Sequence, residues 1–205
     1  MFGHPAKGPG MHGLINTAIQ SFVRHTYGQD RWEAVTDAAG LDFGSFEGML
    51  TYEDAITHVV LDALRVELNR SLDEVLEDLG TFLVSNPEVE SLRRLLRFCG
   101  VSYVEFLHSL DDLPDRVRLA VSDLDLPSLE LREHTSGDFS LTCGPELPGF
   151  GSVMVGVLRA MADDYGALVM LDHRGRQDGC EVISIKLIET AFAEGRDFDL
   201  GARVG

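Results

Sequence analysis

Apolar residues recur at helical spacing through the first half of the chain. In residues 11–28, MHGLINTAIQSFVRHTYG, they form one stripe along a helix, which Gly28 ends because glycine readily adopts the left-handed geometry of a helix terminus. A similar stripe runs through residues 52–69. Serines followed three residues later by glutamate predict two further helix starts, the second opening a helix through Leu113: Ser71 with Glu74 and Ser102 with Glu105. The chain up to about residue 121 is therefore predicted to be mainly helical.

The pattern changes near residue 127, where apolar and polar residues begin to alternate. This alternation predicts strands in LPSLELREH and DFSLTC, on either side of a turn at Ser136-Gly137, and in ALVMLDH and CEVISIKLIE, which the turn RGRQDG joins. Residues 152–165 lie between the two pairs and return to helical spacing. The order predicts an α+β fold, in which an N-terminal helical subdomain packs on a C-terminal four-stranded antiparallel sheet with a helix.

The length of 205 residues suits one domain of ordinary size. Residues 1–10, MFGHPAKGPG, lack the apolar stretch of a signal peptide, and we interpret them as a disordered leader or as residues foreign to the fold. The domain is assigned to residues 11–190, and residues 191–205 are interpreted as a flexible tail. No apolar run approaches the length needed to cross a membrane, so membrane insertion is not expected.

Acidic residues outnumber basic ones by 34 to 17, which gives a formal net charge of −17. Such a surface repels phosphate backbones and anionic lipids, so nucleic acids and membranes are disfavoured, and a basic partner or simple solubility fits the charge better. The cysteines Cys99, Cys143 and Cys180 are odd in number and widely spaced. This pattern indicates reduced thiols in a cytoplasmic protein rather than disulfides or a zinc site.

The sequence contains no familiar catalytic motif. Neither a P-loop nor HExxH, GxSxG or EF-hand spacing occurs, and GFGSVMVG at residues 149–156 has Met154 where a dinucleotide-binding loop needs its third glycine. The seven histidines are scattered, and no two have the i, i+4 spacing of metal ligands on a helix. We therefore predict no catalytic residues and no metal site, and we expect that the protein is not an enzyme.

Several stretches, taken together, resemble the haem-nitric oxide/oxygen binding (H-NOX) domain, the sensor domain of soluble guanylate cyclase that also occurs as stand-alone bacterial proteins. They are MHGLINTAIQSFVRHTYG, Trp32-Glu33, Leu79-Gly80, FLHSLDDLPDRV, LPSLEL and VMVGVLRAMADDYG, and they span roughly residues 11–190 in the family's order. The resemblance implies a helical subdomain with a four-stranded antiparallel sheet and a helix, which agrees with the fold class that the hydrophobic pattern predicts.

By this resemblance, haem b would lie between the first helix and the sheet side of the domain. Ile15 and Ile19 would be the apolar pocket residues of the first helix, and Pro127 would press on the porphyrin. The family's iron ligand is a histidine in a segment like LDxLH, thirteen residues before that proline. In LDDLP, residues 110–114, the ligand position is Pro114. Proline has no side-chain donor atom, so Pro114 cannot bind iron.

The family's YxSxR motif, which clamps the haem propionates, is replaced as well. By the resemblance its position is occupied by CGPEL, residues 143–147, so that Cys143, Pro145 and Leu147 stand where Tyr, Ser and Arg are expected. An arginine fork that pairs with carboxylates is thus replaced by an apolar side chain, and the neighbouring Glu146 would repel propionates. Two features that hold haem are missing together.

These departures predict a haem-independent sensor or adaptor of the H-NOX type, with no cofactor bound in the family's manner. Core side chains or an apolar small molecule would fill the pocket. The output would pass to a signalling protein, by resemblance a histidine kinase or a cyclic-dinucleotide enzyme. The alternative hypothesis is a haem-based sensor of nitric oxide or another gas, in which Cys143, His108 or His12 binds the iron.

Overall fold

The computed structural model describes residues 10–86, 90–98, 100–122 and 124–192 of the chain. The helices are α1 (Gly13–Tyr27), α2 (Gln29–Ala38), α3 (Asp54–Leu68), α4 (Leu72–Ser85), α5 (Glu90–Arg97), α6 (Tyr103–His108), α7 (Leu113–Ala120) and α8 (Phe150–Tyr165). The strands are β1 (Met11–His12), β2 (Thr51–Tyr52), β3 (Leu129–Thr135), β4 (Asp138–Cys143), β5 (Leu168–Gln177) and β6 (Cys180–Glu189). The helices predicted over residues 11–28, 52–69 and 152–165 and after Ser71, and the four longer strands, occur in the predicted order. The strands β1 and β2 are too short to produce an alternating pattern.

The described chain divides into two compact units between residues 75 and 76. The first unit contains β1, α1, α2, β2 and α3. The apolar stripe of α1 is buried there, as its spacing predicts, with Ile19 and Phe22 each 2% exposed. Residues 1–9 and 193–205 lie outside the described residues, so the interpretation of the two chain ends stays a prediction. Among the described helices, none combines the length and the apolar character that a membrane span requires.

Hydrogen bonds of partly or fully buried polar groups complete the core of the first unit. The indole Nε1 of Trp32 donates to the carbonyl oxygen of Gly44 over 2.9 Å. Thr57 Oγ1 on α3 donates to Asn16 Oδ1 on α1 over 2.7 Å, and both side chains are buried. These bonds give the buried polar groups the hydrogen-bond partners that water would provide at the surface.

The second unit is built on an antiparallel sheet with the strand order β3-β4-β6-β5. The predicted hairpin turn is confirmed at Ser136-Gly137, where the φ of Gly137 is +88°, a value that glycine adopts without strain. Alternate residues of β4 face the core, with Phe139, Leu141 and Cys143 each at most 2% exposed. This buried face of the sheet positions Cys143 and the segment that follows it.

Helices α4 and α8 cross at two glycines, Gly80 and Gly156. A Cβ atom on Gly80 would overlap the carbonyl oxygen of Val153, and a Cβ atom on Gly156 would overlap the carbonyl oxygen of Glu77. Thr81 Oγ1 also donates to the carbonyl oxygen of Gly156 over 3.4 Å. The two helix backbones therefore touch directly, with no side chain between them.

The first predicted capping box is confirmed, and the second is half formed. Ser71 and Glu74 exchange both bonds, since the backbone N–H of Ser71 donates to the Glu74 carboxylate at 2.9 Å and the N–H of Glu74 donates back to the hydroxyl at 3.3 Å. Ser102 accepts from the N–H of Glu105 at 3.2 Å, but the Glu105 carboxylate accepts from Val101 instead.

Two predicted boundaries are wrong, and the first is the helix expected to run through Leu113. This helix, α6, ends at His108, and α7 begins separately at Leu113. Pro114 is the physical reason, because proline lacks an N–H and its ring clashes with the carbonyl group four residues earlier inside a helix. It is therefore accommodated in the first turn of a new helix.

The second wrong boundary is the end of β5. RGRQDG, residues 174–179, was expected to be a turn throughout, but β5 continues to Gln177 and only Asp178-Gly179 turns, with φ values of +52° and +90°. Gly175, with φ +73°, lies where the pairing register shifts between His173 and Arg176, which indicates a bulge within the strand. The glycine thus marks a bulge rather than the end of the strand.

Candidate functional site

The predicted ligand position, Pro114, lies in the first turn of α7. Asp112 is the N-cap residue, and Pro114 is half-buried. The ring nitrogen carries no hydrogen, which suits a position whose N–H would have no partner within the helix. The side chain contains only carbon, so this position offers no atom that can coordinate a metal ion.

The segment at the predicted propionate clamp connects β4 to α8. Cys143 is the last residue of β4 and is 0% exposed, whereas Pro145 and Glu146 are exposed. Leu147 is half-buried and packs against the apolar core of the second unit, to which Cys143 also belongs. No side chain of this segment can donate a strong hydrogen bond to a carboxylate, and Glu146 carries the same charge as one.

The thiol of Cys143 is held in its neutral form. Burial raises the pKa of Cys143 from its ordinary value of 9.0 to about 12, and the nearby Glu181 carboxylate and Cys180 add to the increase. Metal binding by cysteine requires the thiolate. At neutral pH, Cys143 therefore behaves as a small apolar core residue.

This raised pKa predicts a loss of stability in alkaline solution. Between about pH 9 and pH 12 the unfolded chain releases the Cys143 proton while the folded chain keeps it, so unfolding becomes easier as the pH rises. As the pH rises, the free energy of unfolding should fall more steeply in the unaltered protein than in Cys143→Ala. The two slopes should differ by roughly 1.4 kcal/mol per pH unit. Urea unfolding at pH 8 to 10.5 measures both slopes. A Cys180→Ala control should keep the steep slope; equal slopes in the unaltered protein and Cys143→Ala would contradict the prediction.

The remaining predicted pocket residues are apolar and lie in both units. Pro127 is buried two residues before β3 begins, in the second unit. Ile19 is 2% exposed and Ile15 half-buried on α1, in the first unit. Of the positions predicted by resemblance, the structure thus brings Cys143 and Leu147 into one apolar core.

A charged arrangement that the sequence analysis did not predict lies at the start of α8. The Glu181 carboxylate on β6, 11% exposed, accepts the backbone N–H of Gly149 at 2.8 Å and that of Gly151 at 2.6 Å. His173 Nε2 lies 4.0 Å from one carboxylate oxygen, and Arg176 Nη2 lies 3.6 Å from the other. Glu181 thus occupies the helix end where free N–H groups and the helix dipole favour an anion.

The glycines at the start of α8 are the sequence signal that could have indicated this arrangement. A Cβ atom on Gly151 would lie 2.7 Å from Glu181 Oε2 and 2.8 Å from His173 Nε2. Only glycine leaves room for the carboxylate to reach the backbone there. The carboxylate itself comes from a residue 30 positions later in the chain, which no local pattern identifies.

The three alternative iron ligands each have another contact or the wrong protonation state. His12 Nδ1 accepts the N–H of Leu14 at 3.1 Å and caps α1, while His108 Nε2 lies 3.6 Å from the Glu133 carboxylate at the surface. Cys143 is a buried neutral thiol. Across the described ranges, no three His, Cys, Asp or Glu side chains group in a way that could hold a metal ion. At the positions that the resemblance assigns, Pro114 offers no iron ligand and Leu147 no arginine clamp for a haem.

Comparison with protein families identifies the fold's relatives. The sequence model of the family described as Haem-NO-binding matches residues 12–173. This chain belongs to the haem-NO-binding (H-NOX) family. The match covers most of the domain assigned above, and it confirms the resemblance carried by the sequence motifs. The family's domains are sensor domains, so a sensory role applies to this H-NOX chain as well.

Curated relatives of this H-NOX chain include guanylate cyclases of animals. It is 28% identical over 156 residues to soluble guanylate cyclase gcy-32 of Caenorhabditis elegans, a match that covers 74% of this chain and 23% of the relative. Soluble guanylate cyclase 89Da of Drosophila melanogaster is 21% identical over 158 residues, with 77% of this chain and 24% of the relative covered. The chain thus spans about a quarter of the length of these relatives.

Solved structures confirm the predicted fold class. The Fe(II) unliganded H-NOX protein from K. algicida superimposes with a TM-score of 0.74 at 19% identity, covering 88% of this chain and 98% of that one. The H-NOX protein from S. oneidensis in the Fe(II)NO ligation state gives a TM-score of 0.72 at 14% identity, with 86% and 99% covered. At these identities the likeness establishes the α+β H-NOX fold and nothing about what this chain binds.

Proposed function

We propose that this H-NOX chain is a sensory or adaptor protein that does not bind haem in its family's manner and that signals through a protein partner. The observation that carries the proposal is Pro114. It occupies the ligand position implied by the resemblance and fits the first turn of α7, where a proline is stable. The compatibility of Pro114 with its helix supports the proposal, and its side chain offers no donor atom at this position.

The electrostatics of the 143–147 segment support the same conclusion. A dianionic porphyrin edge needs cations or strong donors, and this segment presents a neutral buried thiol, Cys143, an apolar Leu147 and the carboxylate of Glu146. The N–H groups at the start of α8, which could have bound an anion, already bind Glu181. An apolar small molecule is the kind of ligand that remains compatible with this lining.

We propose that the output of this chain passes through a protein partner. No constellation of catalytic residues occurs in its sequence, so we propose that it is not an enzyme and that a separate cytoplasmic signalling protein carries the activity. By family resemblance this partner is a histidine kinase or a cyclic-dinucleotide enzyme. The net charge of −17 favours a basic docking surface on the partner.

Restoring the missing groups tests the proposal. The variant Pro114→His, combined with Cys143→Tyr, Pro145→Ser and Leu147→Arg, should acquire a Soret absorption band when haemin is added. The same variant with Asp115→His in place of Pro114→His is the matched control, since Asp115 is exposed in the same helical turn. We expect no band from this control or from the unaltered chain. Equal bands in all three proteins would contradict the assignment of Pro114 as the lost ligand position.

A further inference from the structure

Strand β5 forms one edge of the antiparallel sheet. On one side it pairs with β6, and on the other side no strand of the described chain lies beside it. Its ten residues, Leu168–Gln177, therefore present backbone N–H and C=O groups along a free edge. A free edge of this length can pair with a further strand, because the added strand supplies hydrogen-bond partners for those groups.

The first half of β5 exposes apolar side chains beside this free edge. Met170 is 65% exposed, and Leu168, Ile188 and Phe192 are exposed near it. Ile188 lies on β6 where the pairing register shifts at Leu168, and the N–H of Phe192 donates to the carbonyl oxygen of Gly166, just before β5. These four side chains are a third of the twelve large apolar residues exposed in the described chain. Such a concentration is typical of an interaction surface.

The second half of β5 is charged and irregular. Arg174 Nη1 lies 2.9 Å from Asp172 Oδ2, and Arg176 follows on the same strand. The bulge at Gly175 interrupts the regular pairing there. Charged side chains and bulges are features that protect an exposed edge from pairing. Pairing with a further strand is therefore favoured along residues 168–171 and opposed beyond them.

We propose that the apolar half of β5, residues 168–171, pairs with the same segment of a second copy of this chain. An antiparallel ladder about a two-fold axis at Val169 places Leu168 of each copy opposite Met170 of the other. Residues that lie opposite each other in such a ladder have their side chains on the same face of the sheet, so these apolar pairs are in contact. Because both copies use the same segment, the contact closes at two copies.

The local charge favours a second copy over the basic signalling partner proposed above. Arg174 and Arg176 follow the apolar half, and Lys186 lies opposite Met170 on β6, so a basic strand would be repelled at this edge. A second copy brings apolar residues to the apolar half and leaves both charged halves in water. None of the positions that the resemblance assigns to the haem pocket takes part in this contact. Failure of one proposal therefore leaves the other unaffected.

Sedimentation velocity of the full chain between about 5 and 200 µM tests the proposal. Salt at about 0.3 M screens the repulsion between two copies that each carry a net charge of −17. We expect a monomer–dimer equilibrium in which the dimer fraction rises with concentration. Met170→Lys should raise the dissociation constant of the dimer at least about tenfold, because it places a charge in the apolar half of the edge. Met170 is exposed, so the Tm should not change.

Leu119→Lys is the matched control, because Leu119 on α7 is 89% exposed and does not belong to this edge. Its dimer should be as stable as that of the unaltered chain. Val169→Cys tests the register, since a cysteine opposite itself can form a disulfide between the copies under mild oxidation, whereas Asp172→Cys should not. Four results would overturn the proposal: a monomer at about 200 µM, dimers of Met170→Lys as stable as the unaltered ones, an equal loss in Leu119→Lys, or crosslinking through Asp172→Cys but not through Val169→Cys.

Discussion

Replacing Gly156 by alanine is expected to lower the free energy of unfolding by about 3 kcal/mol. At an exposed position inside a helix, the same change would raise the free energy of unfolding by roughly 0.5–1 kcal/mol, because alanine is the better helix former. Here the new methyl group would overlap the carbonyl oxygen of Glu77 and lie 2.7 Å from the backbone nitrogen of Thr81. Both obstacles are backbone atoms, so α4 and α8 must move apart to admit the methyl group.

Urea denaturation of Gly156→Ala against the unaltered protein measures this loss. Gly44→Ala is the control, because Gly44 has no positive φ and a Cβ atom there would meet nothing within 4 Å. We expect Gly44→Ala to change stability by less than about 0.5 kcal/mol. Gly80→Ala should resemble Gly156→Ala, since its methyl group would overlap the carbonyl oxygen of Val153. A Gly156→Ala protein as stable as the unaltered one would show that the helices do not touch as described.

Replacing Glu181 by alanine is expected to cost about 3 kcal/mol. The backbone N–H groups of Gly149 and Gly151 would lose their shared acceptor. A buried N–H group without an acceptor lowers the free energy of unfolding by roughly 1–3 kcal/mol. Water that enters the space left by the Glu181 side chain would restore part of this loss. Glu130→Ala removes an exposed carboxylate from the same sheet and should have little effect.

Added acetate distinguishes loss of the carboxylate from general loss of packing. A small carboxylate can occupy the space left by Glu181→Ala and accept the N–H groups at the start of α8. Acetate should therefore raise the Tm of Glu181→Ala more than chloride does at equal ionic strength, while the Tm of Glu130→Ala should respond equally to both salts. If acetate and chloride act alike on Glu181→Ala, the carboxylate does not stabilise the helix end in the manner described.

Local sequence patterns predicted most of the longer elements of this fold but not all of their limits. Spacing alone identified α1 and the strands of the sheet, because each buries one face and repeats its apolar residues accordingly. The break before α7 was missed, although Pro114 signals it, because the apolar spacing continues across the break. Gly175 was read as part of a turn, and only the pairing of β5 with β6 shows that it forms a bulge.

Part of the candidate site could likewise be predicted from the sequence, and part could not. The family resemblance predicts from sequence alone that Pro114, Cys143 and Leu147 stand at the ligand and clamp positions, and this assignment stays a prediction. The role of Glu181 could not be predicted, because it depends on β6 lying beside β4 and on the first turn of α8 meeting that strand.

An absorption titration of the unaltered protein with haemin tests the central claim most directly. If Pro114 and the 143–147 segment have removed the family's means of holding haem, the spectrum should show free haemin alone, with no saturable Soret band. A sharp band that saturates at one haem per chain and shifts when nitric oxide is added would contradict the account. It would show that another residue supplies the iron ligand and that the family's haem chemistry persists in this chain.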